Sequence, residues 1–236
     1  MQNTKFQEAN RKGGYAMSVA DSIPRTDSIR IPRRGTSIWY RPVKRMIDIV
    51  LSVLLLAIAI PFLIPIAIAI MIDNPGTVLY RRNVVGKNGK PFDALKLRTM
   101  VENGDEVINN TKLVEEFNNN HKLRDDPRVT RVGRILRKTS IDELPQLINV
   151  LRGEMSLVGP RMISFPELEK FGEWQDKILE VKPGITGMWQ VSGRSDLDYD
   201  ERVRLNVYYV ENRSIMLDLM VLAKTIPAVL IGRGAY

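Results

Sequence analysis

An Asp-Glu pair is the strongest candidate for chemistry in this 236-residue chain. Asp142 and Glu143 lie in the stretch KTSIDELPQLINVLRGEM, in which Ser140 precedes Glu143 by three residues. That spacing fits a capping box and predicts a helix that begins here and ends near Gly153. In the simpler interpretation, Glu143 caps this helix and Asp142 only interacts with the helix dipole. In the other interpretation, the two carboxylates bind a cation and act on a substrate.

Basic side chains and glycines elsewhere in the chain favour the second interpretation. The candidate phosphate-binding residues are Lys96 and Arg98 in LKLRTM, Arg137, Arg161 in VGPR, and Thr186 and Arg194 in KPGITGMWQVSGR. Arg recognises phosphate with two parallel hydrogen bonds, and Gly184, Gly187 and Gly193 would let backbone N–H groups approach an oxygen-rich ligand. None of these stretches has the spacing of a P-loop or a dinucleotide fingerprint. The set therefore indicates a site for a polyphosphate and a divalent cation such as Mg²⁺, which takes one or two carboxylates plus phosphate oxygens.

A long apolar segment precedes the candidate site. Residues 49–72 carry no charge and, at about 1.5 Å per residue, are long enough for a bilayer core of about 30 Å. Pro61 and Pro65 each remove a backbone donor and predict a bend near the middle of the segment. Because basic residues flank both ends, the charge pattern does not distinguish inside from outside. We expect a re-entrant helical hairpin bent at Pro61 and Pro65, with a straight span as the alternative.

Composition limits the class of protein. The net charge of +8 and the pI near 9.7 imply anionic partners. The absence of cysteine excludes disulfides and thiolate metal sites and suits a reducing compartment. The single histidine, His121, is predicted to lie at the surface, which argues against imidazole catalysis.

The sequence divides into three parts. We expect residues 1–40 to be a polar, disordered tail without a signal peptide. A membrane segment over 41–74 and a globular domain over 75–236 should follow it.

Short elements must position the candidate residues. Residues 78–100 predict two strands joined by a turn at Lys87–Lys90. Residues 101–122 predict one or two surface helices, and Arg128–Lys138 predicts a helix with an apolar face and a basic face. That basic face is either solvated or an electropositive wall for phosphate. The residues from Leu217 onward predict an amphipathic helix that lies against the domain or at the bilayer surface.

Taken together, these residues resemble the bacterial sugar transferases, the monotopic polyprenyl-phosphate phosphoglycosyl transferases that initiate surface-glycan synthesis. The resemblance runs from about Lys44 to Tyr236. It rests on the Pro-broken apolar segment and on the motifs LKLRTM, RKTSIDELPQLINVLRGEMSLVGPR and KPGITGMWQVSGR. The run WQVSGRSDLDYDERV and the ending GAY look closest to the branch that transfers galactose-1-phosphate. The family implies a helix-rich α/β (α+β) catalytic domain, held at the cytoplasmic face of the inner membrane by a re-entrant helix and interfacial helices.

The resemblance also implies a reaction. A hexose-1-phosphate, galactose-1-phosphate or glucose-1-phosphate, would pass from a UDP-sugar to undecaprenyl phosphate with release of UMP and with Mg²⁺ present. This is the first membrane step of exopolysaccharide, capsule or O-antigen synthesis. The family's nucleophilic Asp falls on Asp142 and its metal-associated Glu falls on Glu143. Its phosphate-binding Arg positions match Arg137, Arg161 and Arg194, and a further basic position matches Lys96. The implied partners are the UDP-sugar, the polyprenyl phosphate and membrane lipid but not nucleic acid, and a homodimer is left open.

Two departures and two alternatives qualify the resemblance. The family's GPRP reads GPRM here, so Met162 replaces a rigid turn residue that would help to place Arg161. Longer members carry extra membrane spans and a further domain ahead of this unit, which we expect this chain to lack. The basic charge alternatively suggests a membrane-tethered nucleic-acid-binding protein, and the apolar segment suggests a non-catalytic scaffold. The sequence has no helix-turn-helix, zinc site or RNP-like aromatic motif, which favours the enzyme over a nucleic-acid binder.

Overall fold

The computed structural model describes residues 37–104, 126–193 and 197–231. The helices are α1 (Tyr40–Asp73), α2 (Arg131–Thr139), α3 (Gln146–Arg152), α4 (Phe165–Leu168), α5 (Gln175–Leu179), α6 (Met188–Ser192), α7 (Tyr199–Asn212) and α8 (Ile215–Ile231). The strands are β1 (Leu79–Val85), β2 (Pro91–Leu97), β3 (Ser156–Val158) and β4 (Gly184–Thr186), and 3₁₀ helices cover Lys87–Gly89, Ile141–Glu143 and Glu169–Trp174. The predicted helix-rich mixture of helix and strand is confirmed. His121 and most of the predicted surface helices over 101–122 lie outside the described residues.

Helix α1 contains the long apolar segment. It is 34 residues long, and by length and composition it is the one helix among the described residues that could cross a membrane. Large apolar side chains in its middle are exposed, including Ile58 at 65%, Phe62 at 64% and Ile64 at 60%. Such a surface suits lipid rather than water. Pro61 and Pro65 both lie inside the helix, which is assigned as continuous, so the re-entrant hairpin stays a prediction.

The first turns of α1 dock into the globular domain through polar side chains. The Lys44 ammonium donates to the Val158 carbonyl at 3.0 Å and to the Asp218 carboxylate at 2.9 Å. The Arg45 guanidinium donates to the last carbonyls of α3. Asp48, which is 4% exposed, accepts hydrogen bonds from the Ser156 hydroxyl and the Leu157 N–H. Lys44 and Arg45, two of the basic residues before the apolar segment, therefore bind protein groups.

We expect Asp48→Ala to lower the free energy of unfolding by about 2–3 kcal/mol, because it leaves the Leu157 N–H and the Ser156 hydroxyl without their buried acceptor. Thermal unfolding in lipid nanodiscs would measure the change. Asp176→Ala is the matched control: Asp176 is exposed at the start of α5, and its loss should change stability by less than about 0.5 kcal/mol. Equal effects of the two substitutions would contradict the docking role of Asp48.

The last turn of α1 also packs on the domain. Ile70 forms a buried cluster with Leu97 of β2 and Leu136 of α2. The Asp73 carboxylate accepts a hydrogen bond from the Val132 N–H at 2.9 Å, in the first turn of α2. Arg98, at the end of β2, donates to the carbonyls of the residues that follow α1. Both ends of α1 are thus attached to the same domain.

Strands β1 and β2 form the predicted antiparallel hairpin, in which Leu79 pairs with Leu97 and Val85 with Pro91. The turn falls on Lys87–Gly89, as predicted. Asn88 (φ 58°) and Gly89 (φ 74°) both adopt left-handed backbone conformations. Asn and Gly tolerate this region best, so the turn is encoded locally. The hairpin places Lys96 near the end of β2, one strand residue before Leu97.

Strands β3 and β4 pair in parallel and bring two motifs together. A side chain on Gly184 would meet the Gly159 backbone nitrogen at 2.1 Å, and one on Gly187 would meet the Gly159 carbonyl oxygen at 2.2 Å. These two glycines therefore allow backbone segments to pack against each other. Close packing against Gly159 accounts for both glycines, and the expectation that they bring backbone N–H groups to a ligand stays a prediction.

Candidate active site

The Asp-Glu pair lies on a 3₁₀ turn between two helices. Ser140 ends α2 in the left-handed conformation (φ 57°), and its side chain makes no capping hydrogen bond. Pro145 has no N–H and cannot donate to the Ile141 carbonyl, so the α-helical ladder starts only at Gln146. The predicted capping box is therefore wrong, whereas the end of the helix at Gly153 (φ 81°) is confirmed. Asp142 and Glu143 owe their positions to this turn and not to a helix N-terminus.

Glu143 is held by two cations. Its Oε1 atom accepts hydrogen bonds from the Lys96 ammonium at 2.7 Å and from the Arg161 guanidinium at 3.0 Å. Burial would raise the pKa of Glu143, but Arg161 and Lys96 together outweigh it and lower this pKa to about 2. Glu143 is thus firmly ionised. It also fixes the positions of two cationic groups that come from distant parts of the sequence.

Asp142 is in a different state from its neighbour. Its side chain is 9% exposed, and its closest cation, the Lys96 ammonium, is 3.8 Å from Oδ2. Within the described part of the chain, the Asp142 carboxylate accepts no hydrogen bond. Burial raises the pKa of Asp142, and the charge of Lys96 only partly opposes this effect. Because no described donor occupies the Asp142 oxygens, both of them are available to a substrate.

Arg137 completes the basic surroundings. Its Nε donates to the Thr99 hydroxyl at 2.9 Å, which orients the guanidinium from α2. Electrostatic interaction couples Arg137 to Asp142. The basic helix face of α2 thus contributes at least this cation to the site, as the second interpretation of that face predicts. Lys96, Arg137 and Arg161 surround the two carboxylates from three different segments.

Two other predicted site residues, Arg98 and Thr186, make contacts elsewhere, and a third is not described. The Arg98 guanidinium binds the Pro75 carbonyl and the Glu102 carboxylate, next to the end of α1. The Thr186 hydroxyl pairs with the Thr225 hydroxyl of α8 at 2.8 Å. Arg194 lies outside the described residues. The phosphate-binding roles of Arg98, Thr186 and Arg194 stay predictions.

Trp189 is a neighbour of the site that the sequence did not indicate. The Arg161 guanidinium lies 5.7 Å from the centroid of the Trp189 ring, and the Arg202 guanidinium lies 5.3 Å from it. Arg161 thus has a cation–π contact with this ring in addition to its bond to Glu143. The motif GMWQ contains this tryptophan, but nothing in the motif predicts its contact with Arg161.

Met162 replaces the proline of the family's GPRP motif. It is 3% exposed and packs in the core, and Arg161 still reaches Glu143.

The donor set fits a hard cation bound together with a phosphate ligand. Both Asp142 oxygens and Glu143 Oε2 accept no hydrogen bond from the described residues, which leaves three carboxylate oxygens available. Among the described residues no group of three or more His, Cys, Asp or Glu side chains could enclose a metal ion. Mg²⁺ commonly binds through one or two carboxylates and completes its shell with phosphate and water. Glu143, alone or with Asp142, is the candidate protein ligand.

The geometry defines a class of protein. A buried carboxylate that accepts no hydrogen bond from the described residues, beside three cations and next to an apolar helix, suits group transfer from an anionic substrate near a membrane. The family described as bacterial sugar transferase matches residues 39–232. The chain therefore belongs to the bacterial sugar transferase family, and it is an enzyme of that kind.

Several characterised or named proteins are similar to this chain. The exopolysaccharide production protein ExoY of Sinorhizobium fredii is 42% identical over 220 residues, which cover 89% of this chain and 96% of ExoY. The undecaprenyl-phosphate galactose phosphotransferase of Salmonella typhimurium is 47% identical over 201 residues, or 83% of this chain and 42% of that protein. The UDP-glucose:undecaprenyl-phosphate glucose-1-phosphate transferase of Escherichia coli is 38% identical over 204 residues, again 83% and 42%. The chain thus spans nearly all of ExoY and less than half of the two longer relatives.

Proposed function

We propose that this enzyme transfers a hexose-1-phosphate from a UDP-sugar to undecaprenyl phosphate and releases UMP. The observation that carries the proposal is Asp142: a buried carboxylate that accepts no hydrogen bond from the described residues, beside a Glu143 that is fixed by Lys96 and Arg161. The names of the Salmonella and Escherichia coli relatives support the lipid acceptor and a galactose or glucose donor. Family membership favours this enzyme over a nucleic-acid-binding protein or a scaffold.

The reaction would proceed in two displacements. An Asp142 oxygen attacks the sugar-proximal phosphorus, the bond from that phosphorus to the bridging oxygen breaks, and UMP leaves with the bridging oxygen. An oxygen of undecaprenyl phosphate then attacks the same phosphorus, and the bond to Asp142 breaks and restores the carboxylate. Neither displacement needs a net proton transfer.

The surrounding groups would stabilise charge on the phosphates. Arg161 and Arg137 would bind non-bridging oxygens, since both guanidinium groups retain donors beyond those that bind Glu143 and Thr99. Lys96 holds Glu143 and adds positive charge 3.8 Å from Asp142. A bound Mg²⁺ would neutralise charge on the diphosphate, and Glu143 is positioned to hold it. Arg98, Thr186 and Arg194 remain candidates for contacts with the nucleotide or lipid phosphate.

A donor screen tests the proposal. Purified enzyme, Mg²⁺ and undecaprenyl phosphate are mixed with UDP-galactose, UDP-glucose, other UDP-hexoses and GDP-mannose, and UMP or GMP is measured. We expect UMP from UDP-galactose or UDP-glucose, at a rate that depends on the lipid phosphate, and none from the Asp142→Ala variant. The proposal would be contradicted if the folded, purified wild-type enzyme released no UMP from any of the UDP-sugars.

We also propose that α1 is re-entrant and that the domain lies on the cytoplasmic face of the inner membrane. Both ends of α1 are attached to one domain, through Lys44, Arg45 and Asp48 at its start and Ile70 and Asp73 at its end. A helix that crossed the bilayer would have its ends on opposite sides. Pro61 and Pro65, which lie inside α1, would be the bend residues that a same-side arrangement requires. On α8, the exposed Met216, Leu219 and Ile226 suit contact with the bilayer surface.

Cysteine labelling tests this topology, and the chain contains no native cysteine. We expect Ile38→Cys and Thr77→Cys, which flank α1 at exposed positions, to behave alike towards a membrane-impermeant maleimide. Neither should react in intact spheroplasts, and both should react after permeabilisation. Labelling of only one of the two sites before permeabilisation would establish a span and contradict the re-entrant arrangement.

A further inference from the structure

Gln146 carries a buried amide that the fold does not use. It is the first residue of α3 and is 1% exposed. Its Nε2 atom is fully buried and has no hydrogen-bond partner in the described structure. A buried donor without an acceptor destabilises the folded state, so an apolar side chain of the same shape would serve the core at least as well. The amide therefore needs a partner in some other state of the protein.

A complementary group lies one turn away. Asp142 precedes Gln146 by four residues, and the backbone between them stays helical through Leu144 (φ −56°, ψ −35°) and Pro145 (φ −60°, ψ −19°). The backbone hydrogen bonds along this stretch join residues three apart, as from the Leu144 N–H to the Ile141 carbonyl and from the Leu147 N–H to the Leu144 carbonyl, so Gln146 lies little more than one 3₁₀ turn beyond Asp142. The Asp142 carboxylate is itself buried and lacks a hydrogen-bond donor among the described residues. An unused donor and an unused acceptor are thus neighbours in the site.

Each cation around Asp142 has another described partner, although the guanidinium groups of Arg137 and Arg161 keep further donors. Lys96 and Arg161 donate to Glu143, and the Nε of Arg137 donates to Thr99. Lys96 is also too far from the Asp142 carboxylate for a hydrogen bond, at 3.8 Å. Glu143, the remaining charged neighbour, is an acceptor only. Among the described residues, Gln146 is the fully buried donor without a partner that lies nearest to Asp142 in the sequence, and it could turn to Asp142 without giving up a bond.

We propose that Gln146 is a positioning residue for the Asp142 nucleophile, whose Nε2–H donates to one Asp142 oxygen when the donor substrate is bound. The inference rests on the proposed function. One Asp142 oxygen forms the bond to phosphorus as the bond to the departing UMP oxygen breaks. The other becomes the carbonyl oxygen of the acyl phosphate and keeps the hydrogen bond. Attack by the lipid phosphate then breaks the Asp142–phosphorus bond and returns the carboxylate to its starting state.

The test is Gln146→Met, which keeps the length of the side chain and removes the donor. We expect kcat for UMP release to fall by about ten- to a hundredfold, because a misoriented nucleophile loses rate rather than affinity. KM for the UDP-sugar should change by less than about threefold, and Tm should be unchanged or higher because an unpaired polar group has left the core. A structural role would give the opposite pattern, with a lower Tm and an unchanged kcat.

Gln190→Met is the matched control. Gln190 is also a buried glutamine, but its Nε2 donates to the Ile185 carbonyl at 3.1 Å. Its loss should lower Tm and leave kcat within about twofold of wild type. Unchanged kcat in Gln146→Met, a raised KM alone, or a Tm reduced as in Gln190→Met would each overturn the inference and leave the proposed function standing. Failure of the wild type to release UMP from any UDP-sugar would overturn both.

Discussion

Asp142→Asn is expected to reduce UMP release from the UDP-sugar by about a thousandfold or more while the protein stays folded. The amide nitrogen and oxygen of Asn keep the shape of the side chain but cannot form the bond to phosphorus, and loss of a covalent nucleophile has effects of this size or larger. Asp142→Ala should be equally inactive and cannot regain an aspartate by deamidation. UMP release under steady-state conditions measures both variants.

The Asp142→Asn variant should lose activity without losing thermal stability. Burial raises the pKa of Asp142, so the ionised form is disfavoured in the folded state and lowers stability once the pH exceeds the ordinary pKa of an aspartate. A neutral Asn removes that effect, and at pH 7 we expect Tm to be unchanged or higher. Asp93→Asn, an exposed position on β2, is the control and should retain activity. Full turnover by Asp142→Asn would rule out Asp142 as the nucleophile.

Glu143→Gln is expected to reduce activity by about a hundredfold or more and to weaken the dependence on Mg²⁺. The substitution removes the anion that holds Lys96 and Arg161, so both cations lose their positions around the substrate phosphates. It also removes the candidate carboxylate ligand of the cation. Turnover measured against Mg²⁺ concentration would reveal both effects. An unchanged Mg²⁺ titration would show that Glu143 only organises the cations.

The same substitution should change the acid stability of the protein. The pKa of Glu143 is about 2 in the folded state, below its ordinary value of 4.5, so the ionised form stabilises the fold above pH 4.5. That contribution, about 3 kcal/mol, is lost as the pH falls from 4.5 through 2. Glu143→Gln should lack this part of the acid transition in denaturant titrations between pH 5 and pH 2. Glu102→Gln is the control, because Glu102 is a largely exposed partner of Arg98. Identical transitions in wild type and Glu143→Gln would contradict the ion-pair geometry.

Local features of the fold were predictable, because neighbouring residues determine them. The turn at Asn88-Gly89 and the end of α3 at Gly153 follow from left-handed backbone conformations that few residue types adopt easily. The apolar length of α1 follows from composition. The capping-box prediction failed because Pro145 interrupts the hydrogen-bond ladder five residues after Ser140, and spacing alone does not include that effect.

Contacts between distant segments were less predictable. The sequence indicated Glu143, Lys96 and Arg161 as site residues, but not that a single Glu143 oxygen would accept from both cations. These three residues are far apart in the sequence, so only tertiary packing brings them together. The role of Gly184 as a close contact for Gly159 depends likewise on the parallel pairing of β3 and β4. Trp189 carries no charge and has no distinctive spacing, so its contact with Arg161 had no signal in the sequence.

Mass analysis of the enzyme after a short incubation with UDP-sugar and Mg²⁺, without lipid acceptor, tests the central claim most directly. We predict a mass increase equal to one hexose phosphate, located on Asp142 in the peptide that contains SIDELPQ, and its disappearance when undecaprenyl phosphate is added. Stoichiometric UMP release should accompany the adduct. UMP release that strictly requires the lipid acceptor, with no adduct on Asp142 in the quenched enzyme, would contradict a covalent aspartate intermediate.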